Sequence, residues 1–138
     1  MYKDANLWLS GDGAALQAIT DSSAASTSYI DMLAAGDAIG PGAMVEFRVK
    51  KAFAGGTSIA FDLRTDTTSG FSTDTVLFST GAIAEASLTA NKVIARVVIP
   101  MNAKRYLRGY YTTVGTHSTG TIEAVIILDG DKTLDGTL

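Results

Sequence analysis

The sequence predicts an all-β protein: an antiparallel β-sandwich of the jelly-roll type, with about eight strands and an N-terminal arm. From residue 44 onward, apolar residues recur with a period of two, which is the spacing of a strand with one buried face. Turn-forming residues separate these short runs, and no long helical pattern lies between them. We therefore divide the 138 residues into an arm or long loop over 1–26, a sandwich domain over 27–130 and a short C-terminal tail over 131–138.

The arm is predicted from the weak pattern of the first 26 residues. The stretch GDGAALQAITDSSAAS is small and polar, and glycine and serine limit the length of any helix that AALQAI could form. Trp8 is the single tryptophan and precedes this stretch. We interpret it as an aromatic anchor of the arm.

The strands of the sandwich follow in chain order. In MVEFRVK and SIAFDLR, apolar residues alternate with charged ones, and Asp62 and Arg64 point outward in the second run. KVIARVVIP and TIEAVIIL are partly apolar on both faces, which indicates either a covered central strand or a face buried by another subunit. The remaining predicted strands are YIDML, TVLFST and the segment NAKRYLRGYYTT.

The composition excludes several classes of protein. With 46% hydrophobic and 18% charged residues, the chain is that of a folded globular domain. A net charge of −3 disfavours a phosphate backbone, so we expect no nucleic-acid partner. The sequence has no cysteine, no signal-like apolar segment and no run long enough to span a membrane. We expect a protein that folds in a reducing cytoplasm and has no membrane partner.

Few residues could support catalysis. His117 is the only histidine, and we expect it to be exposed in the loop VGTHSTG. DGDKTLDG begins like a calcium loop but lacks the later ligands, so we interpret it as a solvated tail rather than an irregular calcium site. Nothing in the spacing of Glu46, Asp62 and Asp66 places two carboxylates on one cleft. We predict that the protein is not an enzyme and holds no metal or cofactor.

The segment at 102–113, NAKRYLRGYYTT, concentrates basic and tyrosine residues. Read as a strand, it has one face that can join the core and another on which two tyrosines flank Arg108. Tyrosine and arginine are enriched at the centres of protein interfaces. Alternatively, the tyrosines pack at the rim of the sandwich with Arg108 over their rings as a cation–π lid. The core face would consist of Leu107, Gly109 and Tyr111, and the outer face of Tyr106, Arg108 and Tyr110.

Six segments occur in a fixed order: STSYIDM, GPGAMVEFRV, KAFAGGTSIAFDLRTD, GFSTDTVLFSTGAI, IPMNAKRYLRGYYTT and GTIEAVIILD. This order resembles the Bbp16-like capsid cement or decoration proteins of tailed bacteriophages. The likeness extends over residues 26–130, and its most specific pieces are FDLRTD followed by GFS and the run from proline through RYLR to the tyrosines. The N-terminal GDGAALQAITDSSAAS is longer and richer in serine than the pattern of that family.

The resemblance implies a jelly-roll protein on the outer surface of an icosahedral head, where it bridges and stabilises neighbouring major capsid proteins of the HK97-type fold. It implies synthesis in the host bacterial cytoplasm, a place in the virion, and a homodimer, with a trimer as the alternative. A carbohydrate- or receptor-binding β-sandwich module of a phage tail would use the same aromatics and is the competing interpretation. We expect contacts with capsid or with a second copy at Trp8, Arg105, Tyr106, Arg108 and Tyr110.

Overall fold

The prediction of an all-β sandwich is confirmed. The computed structural model describes residues 3–11, 17–19, 23–32 and 43–127, which form two antiparallel sheets packed against each other. The strands are β1 (Lys3–Ser10), β2 (Gln17–Ala18), β3 (Ala24–Ala25), β4 (Ile30–Asp31), β5 (Met44–Ala54), β6 (Ser58–Asp66), β7 (Thr75–Ala84), β8 (Val93–Val98), β9 (Tyr106–Val114) and β10 (Thr119–Ile127). A short 3-10 turn at Glu85–Ser87 connects β7 to β8.

The strand order is that of a jelly roll. Sheet A runs β1-β10-β5-β8, and sheet B runs β3-β9-β6-β7. β2 pairs with β10 beyond the end of β1, and β3 and β4 pair with successive parts of β9, so each sheet has one interrupted edge strand. When each interrupted strand is counted once, eight strands remain. Lettered B to I in chain order, they give sheets B-I-D-G and C-H-E-F, the jelly-roll arrangement.

The N-terminal region differs from the predicted arm. Within residues 1–26, β1 and β2 pair with β10 and β3 pairs with β9, so this region contributes edge strands to both sheets. The backbone hydrogen bonds of these strands come from partners far along the chain, and strands of two residues, such as β2 and β3, are too short to show a period of two in the local sequence. Gln17–Ala18, inside AALQAI, is strand and not helix. The predicted tail at 131–138 lies outside the described residues.

The core lies between the inner faces of the sheets. Phe47, Phe61 and Tyr111 meet at its centre, with ring centroids 5.6 to 6.2 Å apart. The Tyr111 hydroxyl shares a hydrogen bond with the Ser10 hydroxyl, and burial raises the pKa of Tyr111 while this bond opposes the rise. A Cβ at position 109 would lie 2.8 Å from the Tyr111 hydroxyl oxygen, so glycine leaves room for the Tyr111 side chain to lie over this position of β9. The predicted core face of Leu107, Gly109 and Tyr111 is confirmed.

The regularity of pairing differs between the centre of sheet B and the edges of the sheets. β6 and β9 pair over nine consecutive residues, from Ser58 opposite Val114 to Asp66 opposite Tyr106, with no shift in register. The edge strands β7 and β8 carry extra residues that interrupt their pairing with β6 and β5. Such bulges bend a strand and end pairing at an edge. The straight pair β6 and β9 is the platform for the candidate site.

Candidate protein-interaction site

The outer face of sheet B carries a connected group of arginine, aromatic and aspartate side chains. Side chains that alternate with the core residues of β6 and β9 point away from the core, and directly opposite residues lie on the same side of the sheet. Arg64 is therefore next to Arg108, and Asp62 is next to Tyr110. We call this group the arginine–aromatic face; it consists of Tyr29, Asp31, Asp62, Arg64, Phe71, Asp74, Arg105, Tyr106, Arg108 and Tyr110.

Guanidinium groups stack on rings across the face. The Arg64 guanidinium carbon lies 4.1 Å from the centroid of the Tyr110 ring. The Arg108 guanidinium carbon lies 4.5 Å from the Phe71 ring and 5.8 Å from the Tyr110 ring. These distances are in the range of cation–π attraction, so the predicted stacking of Arg108 on a tyrosine is observed, together with a closer contact to Phe71.

Three rings form the other end of the face. Tyr29, Phe71 and Tyr106 meet edge to face, with centroids 5.6 to 6.4 Å apart. The Arg105 guanidinium carbon lies 5.1 Å from the Tyr106 ring. Tyr29 keeps 49% of its surface exposed, whereas Phe71 is buried. The edge-to-face geometry is the favoured one for aromatic pairs and holds the rings in place.

Aspartates neutralise the arginines of the face. Asp74 accepts from Arg108 at 2.8 Å and lies 3.6 Å from Arg64, so one carboxylate lies between two like charges that the register places directly opposite. Arg64 also donates to Asp62 at 2.9 Å. Three buried atoms at this place, Asp62 Oδ1, Arg64 Nε and Arg108 Nε, make no hydrogen bond within the described part of the chain. Buried polar atoms of this kind normally bond to water or to a partner.

Arg105 has its own carboxylate. Its Nε and Nη2 atoms donate to the two oxygens of Asp31 at 2.7 and 2.9 Å, a bidentate pair. The hydrogen bond that Arg105 donates to Asp31 raises the pKa of Arg105. The pair joins β4 to the start of β9 and fixes Arg105 over the Tyr106 ring.

A loop anchored by Asp66 carries Phe71 onto the face. The buried Asp66 carboxylate accepts backbone amide hydrogens from Thr67, Thr68 and Thr73, and also accepts the Thr73 hydroxyl. These bonds, the Thr73 amide foremost, lower the pKa of Asp66 against the opposing effect of burial. Phe71 has a φ of 51°, a conformation that bulky residues rarely adopt and that surrounding structure must hold. The loop is therefore fixed before any partner binds.

Four of the five predicted contact residues come together here. Arg105, Tyr106, Arg108 and Tyr110 all belong to the arginine–aromatic face. Trp8 does not: it lies half-buried in β1 of sheet A, opposite Val125 of β10. Several members of the face were not predicted as contacts, although the outward Asp62 and Arg64 of SIAFDLR were a usable signal for the neighbouring strand. These members are Tyr29, Asp31, Asp62, Arg64, Phe71 and Asp74.

The expectation of an exposed His117 is wrong. Its side chain is 1% exposed, with Nδ1 2.8 Å from a Glu85 oxygen and its ring edge-on to Phe53. The Gly56 amide donates to the same Glu85 carboxylate, and a Cβ at position 56 would overlap the imidazole. Burial alone would raise the pKa of Glu85, but the bonds from Gly56 and His117 outweigh it and lower that pKa. His117 thus fastens two loops and the 3-10 turn together.

The outer face of sheet A is organised around carboxylates. Glu46 is fully buried and accepts from Arg96 at 2.8 Å and from Arg48 at 3.3 Å. Arg48 also lies 3.8 Å from the buried Glu123. Glu46 is therefore on a different sheet from Asp62 and Asp66, and the three carboxylates considered in the sequence do not share a cleft.

The described ranges contain no group of three or more histidine, aspartate or glutamate side chains that could hold a metal ion. They also contain no pocket. In the part of the chain that the structure covers, no helix is long and apolar enough to cross a membrane. The arginine–aromatic face is an open sheet surface.

The fold and this face define a class of protein: a jelly-roll β-sandwich with a pre-formed arginine and tyrosine surface on one sheet. The chain belongs to the Bbp16 family, whose model matches residues 14–126. Among curated proteins, none matches the chain.

Proposed function

We propose that this protein is a phage capsid cement, or decoration, protein that binds the outer surface of an icosahedral head and bridges neighbouring major capsid proteins of the HK97-type fold. The arginine–aromatic face is the observation that carries the proposal. Its tyrosines and arginines are the residue types enriched at interface centres, and its side chains are already ordered. Membership in the Bbp16 family and the resemblance of six segments to phage cement proteins support the same function.

Such a protein needs only to bind the assembled shell more tightly than the dissociated subunits. A protein that binds assembled shell and not dissociated subunits stabilises the shell by mass action. Contact with two capsid subunits at once raises the effective concentration of the second contact without new chemistry. An interface of about 1,600 Å² in total is standard for specific association. In this proposal the protein assembles as a homodimer, with a trimer as the alternative, and resides on the virion exterior after synthesis in the bacterial cytoplasm.

The test is to count copies. Quantitative mass spectrometry on gradient-purified particles of the phage that encodes the chain gives the number of copies per major capsid subunit. A ratio of about one, as expected for a protein that tiles the shell, would support the proposal. A few copies per particle, concentrated in a tail fraction, would contradict it and favour a receptor- or carbohydrate-binding module.

A further inference from the structure

We infer that the arginine–aromatic face binds an uncharged, largely apolar surface of its protein partner, and not an acidic one. This inference rests on the proposed function, since the partner is taken to be a capsid subunit. A row of arginines would ordinarily indicate an acidic partner. The contacts within the face argue against that interpretation.

The charges within the arginine–aromatic face balance each other. Each guanidinium of the face already contacts a carboxylate: Arg105 contacts Asp31, while Arg64 and Arg108 share Asp74. Arg64 has Asp62 as a second partner. At the margin, Lys104 donates to Thr75 and Asp66 accepts from its own loop, which adds one charge of each sign. The face has no excess charge with which to attract an acidic or basic partner.

The exposed part of the face combines apolar side chains with a paired charge. Each arginine lies against a ring. The Arg105–Asp31 pair is partly exposed, at 45% and 32% of the two side chains, and its charges compensate each other. Tyr29 is 49% exposed at one end, and Val76, next to Arg64 on β7, is 47% exposed at the other. Exposed apolar side chains that border ordered polar groups are typical of an interface core with a polar surround. A partner with apolar side chains and hydrogen-bond acceptors would match such a surface.

Substitutions of Val76 test the sign of the charge on the partner. Val76→Glu and Val76→Lys each add a charge at the edge of the face, directly opposite Arg64, and remove no member of an ion pair. Binding is measured to heads of the encoding phage from which this protein has been removed. If the partner surface is uncharged, both variants weaken binding by about tenfold or more, because either charge loses water without gaining a partner. Val98→Glu and Val98→Lys are the matched controls, since Val98 is a 60% exposed valine on the edge strand of sheet A.

Opposite effects of the two Val76 variants would overturn the inference, because a gain with lysine and a loss with glutamate would identify an acidic partner. Wild-type affinity in both variants would overturn the inference as well. Salt gives an independent measurement: raising NaCl from about 0.1 M to about 1 M shortens the screening length from about 10 Å to about 3 Å. We expect less than about threefold loss of affinity over this range, and a larger loss would contradict an uncharged contact.

Two further outcomes separate this inference from the proposed function. If the wild-type protein does not bind the stripped heads at all, the proposed function fails. Sedimentation of the isolated variants tests whether the face binds a second copy of this chain instead. If Val76→Glu changes the oligomeric state and leaves head binding unchanged, the face joins copies of this chain and the capsid partner is wrong.

Discussion

Arginine–carboxylate pairs occur on the outer faces of both sheets, but their surroundings differ. On sheet A, Glu46 binds Arg48 and Arg96, and the carboxylate is fully buried. On sheet B, Asp74 binds Arg64 and Arg108, but each of these arginines also lies on an aromatic ring. An arginine–carboxylate pair therefore does not by itself indicate an interaction surface. The stacking of the paired arginines on aromatic rings is the feature that marks the outer face of sheet B as the candidate interaction surface.

The largest expected effect is on the buried network of sheet A. Glu46→Ala should lower the free energy of unfolding by about 2–4 kcal/mol, because Arg48 and Arg96 both lose a buried partner. Both arginines are partly exposed, so water replaces the lost carboxylate only in part. Thermal and denaturant unfolding would measure the loss. Glu46→Gln keeps the shape and is expected to recover part of it. If Glu46→Ala unfolds like the wild-type protein, the network does not stabilise the fold and the contrast between the faces disappears.

The next effect appears in acid. The pKa values of Asp66 and Glu85 are lowered in the folded protein, so the stability that these carboxylates contribute is present above their unfolded pKa values. It is lost as the pH falls through the folded values. Asp66→Asn should therefore flatten the decline of stability between neutral and acidic pH.

Unfolding free energies at a series of pH values test this expectation. Asp74→Asn serves for comparison, because it removes a carboxylate that bonds to the side chains of Arg64 and Arg108 and leaves the bonds of Asp66 in place. An unchanged acid slope in Asp66→Asn would contradict the role of Asp66 in fixing the loop that carries Phe71.

A smaller loss of stability is expected for Asp74→Ala, on the order of 1 kcal/mol, because the carboxylate and both arginines are partly exposed. Its effect on binding should be larger than its effect on stability, since Arg64 and Arg108 would repel each other and leave their rings. Head binding should also become sensitive to salt in this variant. If binding and stability change in proportion, the ion pair acts on the fold and not on the face.

The smallest effect on folding is expected for Tyr29→Ala, less than about 1 kcal/mol, since half of the ring is already in water. Affinity for stripped heads should nevertheless fall by about tenfold or more, as for an aromatic residue that contributes strongly to an interface. Met101→Ala removes a more exposed side chain outside the face and serves as the control. Wild-type affinity in Tyr29→Ala would place the contact elsewhere.

Part of this architecture was predictable from local pattern. The period of two in MVEFRVK and SIAFDLR placed the core strands, and the alternation in RYLRGYY assigned the inner and outer residues of β9 correctly. Partners distant in sequence were not predictable in this way. β1 is a strand because β10 pairs with it, and His117 is buried because Glu85 and Gly56 surround it. Tyr29 and Phe71 reach the face from loops, and the positions of loops cannot be predicted from a local period of apolar residues.

The unbroken register between β6 and β9 ties the binding surface to the core. Since successive side chains of a strand point to opposite faces, deleting one residue of β9 while Tyr106 stays opposite Asp66 would send Arg108 toward Phe47 and Phe61 and would turn Tyr111 to solvent. A bulge could absorb the same deletion in β7, which already carries extra residues. We therefore expect related sequences to tolerate insertions and deletions in the edge strand β7 of sheet B. In the central pair of β6 and β9 we expect them to differ by substitution.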